Sequence, residues 1–391
     1  MKPLENVKVI EFSTMITASF ATMMMADQGA RVIKVEPIGM GDPMRYLGTS
    51  KGGISALFAN CNRGKESIRI NLKEEAGQAL VHQLAQGADV VIHNFRPGVM
   101  DSLNLGSEKL RTLNPDLVYV AISGFGQDGP LAQAPAYDPI IQAHSGITAS
   151  QGSGTPTFVR NLMCDKITAY TAIQAITAAL LVREKTGEGQ HIDLSMLDAG
   201  LFFIFPDAFM NNTLLDDDVE LRPLLADLIY ELSLTSDGAI TLSAATDQQR
   251  AGVLRALDRE DLIDDPRFNS LENLMMNMQA YRDALADSFK KYSTEDILSR
   301  LREYDVPSAK CHDYEEVLSQ PQVKSNDTIE VREHPVQGSM RIVRSPAKFN
   351  GERLTAATHA PSHGQHTQSV LMELGLDETA ITSYKEKGIV L

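Results

Sequence analysis

Apolar and polar positions along the first 125 residues separate short buried strands from amphipathic helices. Residues 7–13 (VKVIEFS) form a strand pattern, and residues 17–28 a Met-rich helical one closed by Gly29. Residues 31–36 (RVIKVE) are a second strand, 67–72 (SIRINL) an extended segment, and 74–86 a helix. The strands DVVIHNF at 89–95 and LVYVAIS at 117–123 flank a short helix over 108–113. Strands rich in Val and Ile, separated by helices of about three turns, predict a parallel sheet covered on its faces by helices. Ligands of such α/β folds collect beyond the carboxyl ends of the strands, which directs attention to the residues after Ser13, Glu36, Phe95 and Ser123.

Farther along, a long helix is expected over 166–183, with Ile167, Tyr170, Ile173, Ile176, Leu180 and Leu181 at core spacing. Gly187 and Gly189 break it before a strand over 191–196. The pattern then changes. Residues 231–245 alternate around Asp237-Gly238, a two-residue hairpin signal, and helical stretches occupy 248–304. Another hairpin covers 328–343, and two short helices fill the last thirty residues. The expected fold class is α/β: a parallel-sheet domain with helices on its faces, plus a smaller α+β domain over 215–320.

Composition narrows the function classes. A chain of 391 residues with 43% hydrophobic and 22% charged side chains is a globular protein, not a disordered or collagen-like one. No apolar run approaches 18 residues, and the nearest, over 201–205, is closed by Pro206 and Asp207. The N-terminus passes directly into strand-like alternation without a secretory signal, so a cytoplasmic protein is expected. Three scattered cysteines (Cys61, Cys164, Cys311) fit neither a disulfide framework nor a zinc site. The net charge of −15 argues against generic nucleic-acid binding. The first hundred residues nevertheless hold eleven basic against nine acidic side chains, which leaves room for a local anion site.

Several motifs invite chemistry. Gly124-Phe125-Gly126-Gln127-Asp128-Gly129 is a G-x-G-x-x-G after a strand, but a dinucleotide site needs a helix to open there. Pro130 and Pro135 interrupt it, and no helix pattern begins until well past Asp138, so a glycine-rich loop is the better reading. Asp165 stands immediately before the long helix. It reads either as an N-cap, typically worth ~1 kcal/mol, or as a nucleophilic carboxylate presented by the helix end. His359, His363 and His366 cluster in a Pro- and Gly-containing stretch without nearby carboxylates, which predicts an exposed loop rather than a metal site. His93 and His144 are expected to be structural, and Cys164 has no base near it in sequence. Patterns alone thus reach a soluble α/β enzyme with an anion site.

The order of segments resembles the family III coenzyme A transferases, which include formyl-CoA:oxalate and carnitine CoA-transferases and have α-methylacyl-CoA racemases as relatives. The resemblance rests on GARVIKVEPIGMGDPMR (29–45), NRGKESIRINLK (62–73), HNFRPGVMDSLNLG (93–106), SGFGQDGPLAQAPAYD (123–138), Asp165 through 199, and DDPRF (264–268). It implies that Asp165 is the nucleophile. Its carboxylate would attack an acyl-CoA thioester, give an aspartyl acyl anhydride, and then carry CoA as a thioester until an acceptor acid takes it. Helix amides would keep its pKa low. The resemblance places the CoA-binding positions at Ile16 and Thr17, at Ile70, Asn71, Leu72 and Lys73, at Asn94, Phe95 and Arg96, and at Tyr137 and Asp138. It implies no metal and no tightly bound cofactor; the CoA thioester is a substrate. The implied partners are small acyl-CoA and carboxylic acid molecules, without nucleic acid or membrane, and a second copy of the chain in an interlocked homodimer. That dimer implies in turn a large Rossmann-like domain built from both chain ends, 1–205 and 322–391.

Four departures qualify what is carried over. The first strand-to-helix turn reads Thr17-Ala18-Ser19 instead of Ala-Gly-Pro, and Pro37 replaces an arginine, leaving Arg45 as the alternative phosphate contact. Tyr137 stands where the racemases have His, and with a reference pKa of ~10 it is a poor base, which favours transfer over racemisation. The glycine-run loop of formyl-CoA transferase has no counterpart between Met210 and Arg250, which disfavours formate or oxalate as acceptor. A CoA-ester racemase and a non-catalytic CoA-ester binding protein remain the alternatives. Phe202, Phe203, Phe205 and Phe209 suit an acyl pocket or core packing equally.

Overall fold

The computed structural model describes residues 2–151 and 154–391. Its chain divides into two compact units, one of Met1–Phe203 with Ser325–Leu391 and one of Ile204–Lys324. The larger unit is built on β1 (Lys8–Phe12), α1 (Thr17–Asp27), β2 (Arg31–Glu36), β3 (Lys65–Arg69), α2 (Glu75–Gln86), β4 (Val90–His93), β5 (Val118–Ser123), α3 (Asp138–Ser145), α4 (Met163–Thr186) and β6 (His191–Ser195). All six strands are parallel, in the order β3-β2-β1-β4-β5-β6. This is the doubly wound arrangement, in which the strand order reverses between β1 and β4 and opens a crevice at their carboxyl ends.

The alternation of β1 explains how that sheet is covered. Ile10 and Phe12 join Leu80, Val81 and Leu84 of α2 in an apolar core that also takes in Ile381 and Val390 from the end of the chain. Glu11 has the opposite parity and is paired in register with Lys34 of β2. On that side Phe20 of α1 meets Tyr170 of α4 edge to face at 5.9 Å. α4 stops where Gly187 adopts φ 73° and donates its N–H to the Arg183 carbonyl, a left-handed close that glycine permits.

The smaller unit is α+β. Its three antiparallel strands follow the order Ser308–Lys310, Ala239–Leu242, Ser233–Leu234. Ile240 packs there with Val253, Leu285, Phe289, Ile297 and Leu301.

Several local expectations need correction. The third strand lies at Lys65–Arg69, earlier than 67–72, because the buried Lys65 finds Glu11 across the sheet, a partner that local polarity does not reveal. A helix begins at Asp138 itself, with Pro139 in its first turn, where a missing N–H costs nothing. Residues 201–205 are not closed off by Pro206, which lies inside the helix Met196–Ala208. The loop at Asp237-Gly238 is wider than two residues, since Leu234 pairs with Ala239; the Asp237 carboxylate is drawn to the backbone and hydroxyl of Thr294 at 2.7 and 2.8 Å.

Candidate active site

The residues that follow β1, β4 and β5 meet in one cleft of about 350 Å³. Thr14, Met15 and Thr17 come from the β1–α1 turn, Asn94, Phe95 and Arg96 from the end of β4, and Ser123 and Gly124 from the end of β5. Tyr137, Asp138, Leu162 and Asp165 complete the lining from the starts of α3 and α4. The sheet end and two helix starts thus converge where the strand order reverses. The loop after Glu36 takes no part.

Asp165 is the third residue of α4, not its N-cap, because the helix already begins at Met163. Nor does its carboxylate cap any helix amide. That task falls to Asp138, whose Oδ2 accepts the N–H of Asp165 at 3.0 Å, while Thr17 donates its hydroxyl to Asp165 Oδ1. Asp165 is 9% exposed. Burial, with a smaller push from the Asp138 charge, raises its pKa to about 6 against the opposing Thr17 hydrogen bond and Lys166. The expectation of a carboxyl held low by helix amides is therefore overturned.

The turn that carries Thr17 is tightly held. Asn94 grips the Thr14 backbone twice, accepting its N–H at 3.1 Å and donating to its carbonyl at 2.7 Å. Asp42 accepts the Met15 N–H at 3.1 Å, and Lys34 Nζ donates to the Ser13 carbonyl at 3.0 Å. These bonds stabilise Met15 in the left-handed region at φ 62°, an uncommon conformation for a residue without local polar help. On the other side, Gln142 donates to Asp138 Oδ1 at 2.6 Å and to the carbonyls of Val159 and Asn161, and accepts the Val159 N–H at 3.0 Å. Sequence reasoning missed Gln142, although an Asp and a Gln four apart on a helix starting at Asp138 would have signalled it.

The other candidates separate clearly. Ile16 is buried beside Met44 and Phe58. Ile70, Asn71, Leu72 and Lys73 do not line the cleft; Ile70 is buried and bridged to Val390, while Lys73 is exposed. Tyr137 is 68% exposed at the cleft rim. Arg45 is no free phosphate contact: it is buried, pairs with both oxygens of Glu36 at 2.6 and 2.9 Å, and stacks on Phe58. Burial and the neighbouring aspartates push the Cys164 thiol up to about 12, which leaves it inert. Ser123 Oγ accepts the Gly126 N–H at 2.9 Å, so the glycine-rich stretch folds back on its own strand end. His363 and His366 are half-buried, bonded to the Pro37 carbonyl and the Ser67 N–H, which corrects the exposed-loop expectation. Among the described residues no group of His, Cys, Asp and Glu is arranged to hold a metal, and no helix is long and apolar enough to cross a membrane.

Comparison with known proteins bears directly on this cleft. The profile of CoA-transferase family III matches residues 4–367. Human succinyl-CoA:glutarate CoA-transferase is 32% identical over 397 residues, covering all of this chain and 90% of that protein. Acetyl-CoA:oxalate CoA-transferase of Acetobacter aceti is 33% identical over 355 residues, with 89% of this chain and 90% of that protein covered. A CAIB/BAIF family protein from Brucella suis superposes with a TM-score of 0.84 at 30% identity, covering 95% of this chain and 99% of that one. Rv3272 from Mycobacterium tuberculosis gives 0.83 at 26% identity over 94% and 98%. The chain belongs to CoA-transferase family III and is an enzyme of CoA transfer between acyl-CoA thioesters and carboxylic acids.

Proposed function

We propose that Asp165 is the nucleophile of this transfer and passes through an aspartyl acyl anhydride and an aspartyl-CoA thioester. The observation that carries the reading is the raised carboxyl itself: buried, in a cleft, in no salt bridge among the described residues, and poised near neutrality. A carboxylate stripped of water and held in no salt bridge is a better nucleophile than a solvated one, and near pH 7 most of it is ionised. Thr17, the 94–96 segment, Tyr137 and Asp138 surround it and are our assignment for the pantetheine end of the thioester. Ile16 is assigned to the coenzyme through the same turn as Thr17, and residues 70–73 to the adenine and phosphates, with Lys73 the charge partner for phosphate.

Arg96 is the cation of the cleft lining, and it suits either a CoA phosphate or a substrate carboxylate. With succinyl-CoA:glutarate transferases among the relatives, short dicarboxylates are the first donors and acceptors to try. The exposed side chains of Phe202, Leu215 and Tyr230 support a homodimer. The three free cysteines fit a reducing compartment such as the cytoplasm.

Incubation with succinyl-CoA followed by hydroxylamine should leave a hydroxamate on Asp165, and Asp165→Ala should lose both adduct and turnover. An alanine variant with full transfer activity would end the proposal. The same preparations in heavy water test the racemase reading, which requires deuterium at the α-carbon without any acceptor acid.

A further inference from the structure

The hydrogen bond between Thr17 and Asp165 makes the two carboxylate oxygens unequal. Thr17 is the first residue of α1 and only 2% exposed, and its hydroxyl donates to Oδ1. Among the described residues no donor reaches Oδ2, and that atom is not among the buried unpartnered ones, so it is the oxygen left to the cleft. Oδ2 is therefore the attacking atom, and Oδ1 stays on Cγ as the carbonyl oxygen of every covalent intermediate. We propose that the Thr17 hydroxyl is a catalytic group of this enzyme, the oxyanion donor for each step in which Cγ of Asp165 is attacked. The inference rests on Asp165 being the nucleophile and adds a residue and a division of labour to it.

The chemistry follows from the atoms. In the first step Oδ2 bonds to the acyl carbon, the C–S bond breaks, and CoA leaves as thiolate; charge develops on the substrate oxygen, away from Thr17. In the second step the thiolate adds to Cγ and the C=O electron pair moves onto Oδ1, where the Thr17 hydroxyl already points. Collapse restores the Cγ–Oδ1 carbonyl, breaks Cγ–Oδ2, and releases the donor acid as carboxylate with Oδ2. The acceptor carboxylate later adds to the same Cγ, again placing charge on Oδ1, and expels the thiolate. In the last step the thiolate attacks the acceptor acyl carbon and frees the Asp165 carboxylate. Thr17 thus serves the two middle steps.

An oxyanion donor is effective when it is fixed before the charge appears. The β1–α1 turn meets that requirement through the bonds of Asn94 to Thr14, Asp42 to Met15 and Lys34 to Ser13, which lock the approach to α1 from three separate segments. No adjustment of the turn is needed as Cγ becomes tetrahedral.

The test is rapid-quench mass spectrometry of the full-length enzyme with succinyl-CoA or acetyl-CoA and no acceptor, following covalent CoA on the protein. Loss of one oxyanion donor costs on the order of 100-fold. At saturating thioester, Thr17→Val and Thr17→Ala should load CoA about 100-fold more slowly than the unmodified enzyme, while Thr17→Ser stays within a few-fold. A hydroxyl-free variant that loads at the unmodified rate overturns the assignment. So does equal slowing in Thr17→Ser, which would make the shape of the side chain, not its hydroxyl, what matters. Absence of covalent CoA in the unmodified enzyme, or its presence on a residue other than Asp165, would instead sink the nucleophile reading.

Discussion

Glu11 and Asp165 are both carboxylates withdrawn from water in the larger unit, and the protein treats them in opposite ways. Glu11 is fully buried, yet Lys34 and Lys65 approach its oxygens at 2.7 and 2.8 Å and Thr22 donates to it at 2.6 Å. Burial pushes its pKa up, but the two ammonium groups more than offset that and hold it far below the usual carboxylate range. Asp165 keeps slightly more exposure, receives one hydroxyl, and ends near 6. The degree of burial therefore does not mark the site. What marks it is desolvation left uncompensated, because that stores free energy which a reaction at the carboxyl can use.

The largest effect should come from the compensated member. Glu11→Gln leaves Lys34 with Asp42 at 3.0 Å and Lys65 with the Ser19 carbonyl and Asn62, but two buried ammonium groups lose their shared counter-charge. Breaking a buried pair in this way costs about 3–5 kcal/mol. Lys65, which burial lowers to about 8 even with Glu11 present, should shed its proton in the variant. Urea unfolding at pH 7 measures the loss, and a variant within about 1 kcal/mol of the parent would show that the network is not what stabilises the sheet.

The uncompensated member predicts the opposite sign. A carboxyl whose pKa rises from 3.8 to about 6 on folding favours the folded state only when protonated. Stability on its account is thus full below pH 3.8, falls as pH climbs toward 6, and is level above. Asp165→Asn removes that dependence. The variant should be inactive and, at pH 7, more stable by up to about 3 kcal/mol, with the difference vanishing near pH 3.5. Paired thermal melts at the two pH values decide it; equal melting at pH 7 would mean that Asp165 carries no strain.

The same contrast explains what was readable beforehand. β1, β2, β4 and β5 announce themselves as Val- and Ile-rich runs because a parallel strand is apolar on both faces. β3 slipped in the reading because KESIR is polar, and its buried Lys65 is intelligible only through Glu11 on another strand. The helices at Asp138 and through Pro206 were hidden by prolines that local rules treat as breakers. Asp165 stood out as a helix-end carboxylate, but only resemblance singled it out over a cap. Its raised pKa and its contact with Thr17 arise between positions 148 residues apart, which no local pattern encodes.

The smallest effect probes the tether between the two carboxylates' surroundings. Asn94→Ala removes both bonds to Thr14 but touches neither Glu11 nor Asp165, so the lysine network should persist. The global cost should be about 1 kcal/mol, that of side-chain hydrogen bonds to a half-buried backbone. The consequence at the site should differ in kind. A looser Thr14 lets the left-handed Met15 relax and Thr17 drift from Oδ1, and the Thr17 bond is what opposes burial in setting the Asp165 pKa. The acid limb of the pH–kcat profile should then move to higher pH, and kcat at saturating substrate should fall several-fold. A purely structural Asn94 would lower stability and leave that limb in place, because unfolding removes active molecules without altering the ionisation of those that remain.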